Sequence, residues 1–371
     1  MKVVQIINQL GRGGAERQLM LLQQGLRKRG VESTILSIYS NLDILSDFSS
    51  PKKLYVVGKR HKFDLFTLFR MARLIQKEEP DIVQTWLPAS NIIGTLAAKL
   101  AGCNVIINSV RGIDDFKIPV RIAFEQLLHK FVRKTVVNSK RVQDYLIKHE
   151  KLNASKIQVI YNGISNYYFQ DVKKEKKEEL RNQLKISKNT VVVTIIANLR
   201  EPIKCHEVFL RAAALIHNEM SSVIFLVVGE GPLETEYREL CRQLDIERAV
   251  KFLGSRKDIR SILSITSLKV LTSRIEGLPN CLIEALAAGV PIVATDAGGC
   301  REVVGEDGLC GSIVPVGDYR AVARESINFL RKTMEERLHM KRQCIQRAQS
   351  LFSADKMVER YIGLYEELSG F

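Results

Sequence analysis

Strand-sized apolar runs and helix-sized stretches take turns along this chain, and that alternation limits the fold more than any other feature. Parallel strands cannot be joined by a tight turn, so each pair needs a crossover, usually a helix. Val3–Ile7, Ser33–Tyr39, Asp81–Thr85, Val105–Ser109, Thr135–Asn138 and Ile157–Ile160 read as strands, with helical spacing at Gly14–Arg29 and Asp64–Glu78. Asn162-Gly163 closes this series as a turn. The dense charged run Asp171–Arg181 reads as a linker, partly helical. A second series follows: strands at Val191–Ala197, Val223–Val228, Val250–Leu253, Leu268–Leu271 and Pro291–Ala294, with helices between, then a mainly helical tail. The loop Ser40–Lys53 matches no readable pattern. The expectation is an α/β protein of two Rossmann-like, doubly wound domains facing across a cleft, with ligands bound beyond the carboxyl ends of the strands.

Composition narrows the class. At 371 residues the chain can build two or three cores, and 46% apolar with 26% charged residues is globular. No apolar run approaches the ~18–20 residues of a membrane span. The first ten residues are too short for a signal segment and read as a first strand. Seven scattered Cys form no CxxC or Cys/His cluster, which suggests neither disulfides nor zinc and fits a reducing cytoplasm. The six His do not cluster, and the absence of Asp-x-Asp argues against a cation held by such a pair. Net charge is +15, nearly all of it in residues 1–170. That excess suits an anionic membrane surface, and two basic, apolar stretches, 59–73 and 116–134, suit it further. Taken alone, each stretch reads first as an ordinary helix packed on the sheet with its cations in water, and it is the charge imbalance that favours the membrane. Nucleic acid is not expected, because no strand carries the aromatic pattern of RNA modules.

The chemistry concentrates in Glu276-Gly-Leu-Pro-Asn-Cys-Leu-Ile-Glu284. Pro279 and Asn280 start a helix that Asn280 is placed to cap, and Gly289 ends it. Glu276 then precedes the helix and Glu284 lies one turn inside. First-turn N–H groups between them face an anion such as a diphosphate, and the carboxylates accept hydroxyl hydrogen bonds on either side. Arg200 and Lys204 follow a strand, where an Arg fork and a Lys point charge suit phosphate. Gly229 and Gly231, in Gly-Glu-Gly-Pro, and Gly254 and Arg256, in Phe-Leu-Gly-Ser-Arg-Lys-Asp258, sit in further strand-end loops. The glycine loop Leu10-Gly-Arg-Gly-Gly-Ala-Glu16 fails the dinucleotide fingerprint, since Glu16 stands where the third Gly belongs.

Together these motifs resemble the retaining glycosyltransferases of family 4, with the GT-B fold, over almost the whole chain. Gly13-Gly-Ala-Glu-Arg17, Asn162-Gly-Ile164, and the ordered series from Arg200 to Gly298-Gly299 carry the resemblance. It implies an N-terminal acceptor-side domain over 1–165, a linker over 166–188, a donor-binding domain over 189–350, and a helix over 351–371 crossing back to the first domain. It implies that Glu276 contacts donor-sugar hydroxyls, Glu284 the ribose, and Arg200 and Lys204 the diphosphate. The implied donor set also includes Gly13, Gly14, Gly229, Gly231, Gly254, Arg256, Gly277, Leu278 and Asn280. Glu276, Arg200 and Lys204 form the implied catalytic group, with Glu276 positioning the sugar. No cofactor is implied, since the nucleotide sugar is a co-substrate, and no metal. Many members carry a His-Asp pair after the strand corresponding to Val105–Ser109, which in many reaches the transferred sugar; the resemblance implies that Arg111 or Asp114 fills that position here, on the acceptor or sugar side.

The resulting expectation is a hexosyltransferase-type enzyme of cell-surface polysaccharide biosynthesis, such as lipopolysaccharide or capsule. Its partners are a nucleotide-sugar donor, a glycan or lipid-linked acceptor, and the inner face of the cell membrane. A nucleotide-sugar isomerase or epimerase on the same scaffold is the alternative, as is a non-catalytic binding protein that kept the fold.

Overall fold

The computed structural model describes residues 1–48, 51–58, 64, 66–113 and 119–370, which form two compact units. Asp114 lies outside the described residues, as do 59–63, 65 and 116–118 of the two basic stretches.

Unit 1 comprises 1–163 and 354–371. Its elements run β1 (Lys2–Ile7), α1 (Gly14–Lys28), β2 (Glu32–Ser37), β3 (Lys53–Val56), α2 (Phe66–Glu78), β4 (Ile82–Trp86) and α3 (Pro88–Leu100). They continue with β5 (Ile106–Val110), α4 (Pro119–Leu128), β6 (Lys134–Val137), α5 (Lys140–His149) and β7 (Ile157–Val159). The strands form one parallel sheet, β3-β2-β1-β4-β5-β6-β7.

Unit 2 spans 164–353. It contains α6 (Lys174–Gln183), β8 (Val191–Ile196), α7 (His206–Glu219), β9 (Val223–Val228), α8 (Glu234–Gln243), β10 (Val250–Phe252), α9 (Ile259–Ile265) and β11 (Leu268–Leu271). After these come α10 (Asn280–Ala287), β12 (Ile292–Thr295), α11 (Cys300–Val304), β13 (Gly311–Val314), α12 (Tyr319–Leu330) and α13 (Met334–Phe352). Its sheet is also parallel, in the order β10-β9-β8-β11-β12-β13. The stretch expected as a linker is part of this unit: Leu180 of α6 and Ile186 are buried with Val192, Leu226 and Ile262.

The last helix, α14 (Ala354–Ser369), packs on α1 in unit 1. Gly25 makes that approach possible, because a Cβ there would lie 2.2 Å from Val358 Cγ2. Polar groups beneath α14 are buried and therefore must be paired. Trp86 Nε1 donates to Gln5 Oε1 at 2.6 Å, Gln5 Nε2 to the Tyr365 hydroxyl at 3.1 Å, and Gln84 Nε2 to Ser109 Oγ at 2.8 Å. The Tyr365 hydroxyl in turn donates to Gln84 Oε1. Gln5 and Gln84 are register partners on β1 and β4, so one rung of the sheet is stitched to α14.

Tyr365→Phe removes the shared hydroxyl and strands an amide donor and an amide acceptor in the core. A loss of about 1–3 kcal/mol is expected. Denaturant unfolding should record it, and hydrogen exchange should place the loosening in β1, β4 and α14.

Candidate active site

Strand polarity sends every strand-to-helix loop of residues 191–314 to one edge of the sheet. From β8 the chain moves outward to β9 and β10, then returns to β11 on the other side of β8. The loops after β8 and β11 therefore diverge, and such a fork is where open parallel sheets take ligands. Lys204 stands in the first loop and Glu276 in the second.

Lys204 Nζ donates to Glu276 Oε1 at 2.6 Å, with the two side chains only 21% and 12% exposed. The backbone is arranged to make this pair. Pro202–Lys204 forms a short 3-10 turn, and Cys205 then takes the left-handed conformation at φ +47° to enter α7. Thr272 Oγ1 donates to the carbonyls of Lys204 (3.2 Å) and Cys205 (2.9 Å), and the Arg274 N–H donates to Ile203 O at 2.9 Å. The segment carrying Lys204 is thus bound to the segment leading to Glu276. Burial works against the Lys204 charge, but the adjacent Glu276 outweighs it and holds the ammonium above its ordinary range.

On the other side, Gly298-Gly299 closes against the backbone of 276–277. A Cβ on Gly298, at φ +51°, would lie 1.9 Å from Glu276 O, and the Gly299 N–H donates to Gly277 O at 2.7 Å. Pro279 is the N-cap of α10, and Asn280 is its first helical residue, which corrects the expected capping role. The reason is local: Pro279 has φ −73° and ψ 111°, an extended boundary conformation, and the helix begins directly after it. Glu284 lies one turn inside α10 and is buried, as is Leu278.

Gly229 and Gly231 serve close backbone approach. A Cβ on Gly229 would fall 2.0 Å from Ala197 O, and one on Gly231 2.2 Å from Leu199 O. The Gly229 N–H donates to Gly254 O at 2.9 Å, and the Leu199 N–H to Glu230 O at 3.0 Å, so the loops after β8, β9 and β10 interlock. Arg200 is mostly exposed and 3.6 Å from Glu230. Arg256 is engaged by Asp258 through two bonds of 2.8 and 2.7 Å.

In unit 1, Gly13 is the N-cap of α1 and Gly14 its first residue. A Cβ on Gly13 would lie 2.2 Å from Glu16 Oε2, so the Glu16 carboxylate folds back over the glycine turn. Burial pushes its pKa up, partly offset by a backbone hydrogen bond. Arg111 follows β5 and stacks on Trp86, 4.2 Å from the ring centroid. It donates to Asn162 Oδ1 at 3.2 Å and to the Tyr361 hydroxyl, while its carbonyl accepts from Asn138 Nδ2 at 3.0 Å.

Two buried bases had no motif to mark them. Lys269 is a cation inside a four-residue apolar strand, and that oddity is its only sequence signal. Leu268 and Val270 face the core under α7 and α12, so alternation turns Lys269 to the other face, where α10 packs on β11. Its Nζ donates to Val270 O at 2.9 Å. Burial drives its pKa down, against the opposing pull of Cys281, Glu284, Glu276 and Cys300. His206, the first residue of α7, lies against Tyr237, the two rings tilted with their centroids 5.2 Å apart. Burial, reinforced by Lys269 and Lys204, lowers its pKa to about 4 against the pull of the Ala197 backbone. Among the described residues, no group of three or more His, Cys, Asp or Glu could hold a metal ion.

Residues 12–166 match the family model described as Glycosyltransferase Family 4, and residues 176–350 match Glycosyl transferases group 1. The chain is 29% identical over 322 residues to N-acetyl-alpha-D-glucosaminyl L-malate synthase of Bacillus anthracis, covering 85% of this chain and 82% of that protein. It is 26% identical over 318 residues to the UDP-Gal:alpha-D-GlcNAc-diphosphoundecaprenol alpha-1,3-galactosyltransferase of Escherichia coli, covering 82% and 80%. The crystal structure of Anabaena Alr3699/HepE in complex with UDP shares the fold, with a TM-score of 0.88 at 21% identity over 99% of this chain and 100% of that one.

Lys204→Met and Glu276→Gln each leave a largely buried partner uncompensated, at a cost of about 1–3 kcal/mol. The double variant is expected to cost less than the sum of the two, which a thermodynamic cycle from urea unfolding checks. A second expectation concerns acid. His206 is neutral in the fold but protonates near pH 6.5 when unfolded, so stability falls as pH drops from about 6.5 to about 4. The effect is on the order of 3 kcal/mol. His206→Phe should flatten that part of the stability profile.

Proposed function

We propose, for a chain that is a nucleotide-sugar-dependent glycosyltransferase with the GT-B fold, that it transfers the sugar with retained anomeric configuration to a glycan or lipid-linked acceptor. The observation that carries this reading is the Lys204–Glu276 pair at the fork of the second sheet. The diphosphate lies over the fork, beside Lys204 and the first turn of α10, with Arg200 on its exposed side. Glu276 accepts hydrogen bonds from the sugar hydroxyls. Glu284 accepts them from the ribose, and the glycine loops at 229–231 and 254 border the nucleotide. In the reaction the bond from the anomeric carbon to the diphosphate oxygen breaks, and a bond to the acceptor oxygen forms. The acceptor proton passes to the departing diphosphate, whose charge Lys204, Arg200 and the helix terminus stabilise. Glu276 orients the sugar and forms no covalent bond.

The working place we propose is the cytoplasmic face of the membrane, in the assembly of a cell-surface polysaccharide. Polyprenol- and polysaccharide-directed enzymes among the relatives support it, including the capsular polysaccharide biosynthesis glycosyltransferase CapM of Staphylococcus aureus. So does the basic excess of residues 1–170.

A melting-temperature panel with UDP, GDP and ADP tests the donor site. A nucleoside diphosphate at a hundred times its Kd should add roughly 2.7 kcal/mol. Glu276→Ala and Lys204→Ala should each lower turnover at least about a hundredfold while remaining folded. No shift with any of the three nucleotides, or wild-type turnover in both variants, would refute the assignment.

A further inference from the structure

Lys269 is a cation that the reaction scheme above leaves idle. It sits in β11, between β8 and β12, with Thr194 and Ile292 as register partners. Its side chain is fully buried, so it does not bend out to water as a lysine over an apolar surface usually does. The same burial keeps substrate away from Nζ, which excludes a nucleophile or a proton donor to the sugar. An ammonium carries three N–H donors. Among the described residues Lys269 makes one hydrogen bond, to Val270 O at 2.9 Å. A buried cation so sparsely satisfied is costly unless negative charge lies near it. Above it lies α10, which packs on β11 and carries Cys281 and Glu284 at i, i+3 on one side. Glu284 is itself buried. Glu276, and Cys300 at the start of α11, are further acidic groups around Lys269. Burial pushes the Cys281 thiol up to about 11 and the Cys300 thiol well above its ordinary range, so both are neutral. His206, the neighbouring base, is neutral too. The negative charge that faces Lys269 is therefore on the two carboxylates, and Glu276 already holds Lys204 at 2.6 Å.

We infer that Lys269 is a positioning residue of the donor site: from beneath α10 its ammonium balances Glu284, keeping that carboxylate ionised and set for the ribose hydroxyls of the nucleotide. The inference rests on the assignment of Glu284 to the ribose proposed above, and adds the residue that makes a buried carboxylate usable there. A buried carboxyl with no cation beside it holds its proton, and one of its oxygens then donates where it should accept. An apolar side chain at position 269 would suit the interior of the sheet better than a lysine does. The lysine is thus unfavourable for the fold by itself and becomes favourable only through the carboxylate above it. Two ammoniums then divide the work of the site. Lys204 meets the diphosphate, and Lys269 sets the carboxylate that meets the ribose.

Lys269→Met, Glu284→Gln and the double variant test the inference in the full chain. The probes are whichever of UDP, GDP and ADP binds the wild type, and inorganic pyrophosphate, which has no ribose. Titration calorimetry should show Lys269→Met weakening the nucleoside diphosphate at least about tenfold while pyrophosphate changes less than about threefold. In the Glu284→Gln background the same substitution should change nucleotide affinity less than about threefold. In urea unfolding, Lys269→Met should lower the midpoint, and the double variant should stand at or above Glu284→Gln, because no unpaired charge remains. A general loosening of the fold, or a direct role at the diphosphate, would weaken pyrophosphate as strongly as the nucleotide, and either result overturns the inference. Additive effects of the two substitutions overturn it as well. If Lys269→Met does not fold alone, the double variant measured against Glu284→Gln decides: a lower midpoint, or a further tenfold loss of nucleotide affinity, rejects the counter-charge. Wild-type nucleotide affinity in Glu284→Gln would remove the ribose assignment on which the inference stands. Failure of the wild type to bind any of the three nucleotides would strike the donor site itself.

Discussion

A carboxylate and an ammonium separated by 72 positions meet at 2.6 Å in unit 2, and the surrounding loops are built so that they must. Their meeting follows from sheet topology before any side chain is considered. β8 lies between β9 and β11, so the loops leaving β8 and β11 part company at one edge. Thr272 and Arg274 then bind the Lys204 segment, and Gly298-Gly299 binds the Glu276 segment. An ion pair in water contributes little. Here, mostly out of water, it fixes two side chains in one geometry. Lys269 and the neutral His206 extend that setting into the core beneath.

Unit 1 uses polar groups differently. Its buried glutamines, Trp86 and Tyr365 form a closed network that holds α14 to the sheet. Arg111, in the region where many family members carry a His-Asp pair, is tied to Trp86, Asn162 and Tyr361. Three partners from three segments make it a structural anchor of the β5 loop, whatever else its remaining donors meet.

Some elements were legible because burial dictates composition. Val223–Val228 and Leu268–Leu271 lie in the interior of a parallel sheet, are covered on both faces, and appear in the sequence as bounded apolar runs. The strands Lys53–Val56 and Gly311–Val314 were not read. Both are four-residue edge strands, one exposed at its two ends and the other buried only at its two ends, so neither carries a continuous apolar signal. The helix Lys174–Gln183 passed for a linker because a single residue, Leu180, is buried along it. In the site, residue type and strand-end position pointed to Lys204 and Glu276, but a contact across 72 residues is a property of strand order. Lys269 escaped because one cation in an apolar run has no motif, and Arg256 carried no sign that Asp258 would engage it.

The chain enters unit 2 after Gly163 and leaves it before Ala354, and at this crossing the two passing segments lie side by side. Ile164 bridges Ser353 in parallel, and its N–H donates to Phe352 O at 2.7 Å. Unit 1 is therefore discontinuous in sequence. As the polypeptide is made, residues 1–163 leave the ribosome without the helix that covers α1 and completes the Gln5–Gln84 rung. Residues 164–353 are by contrast one continuous stretch. The apolar flank of unit 1 stays uncovered until the last stretch of chain, α14, has been made.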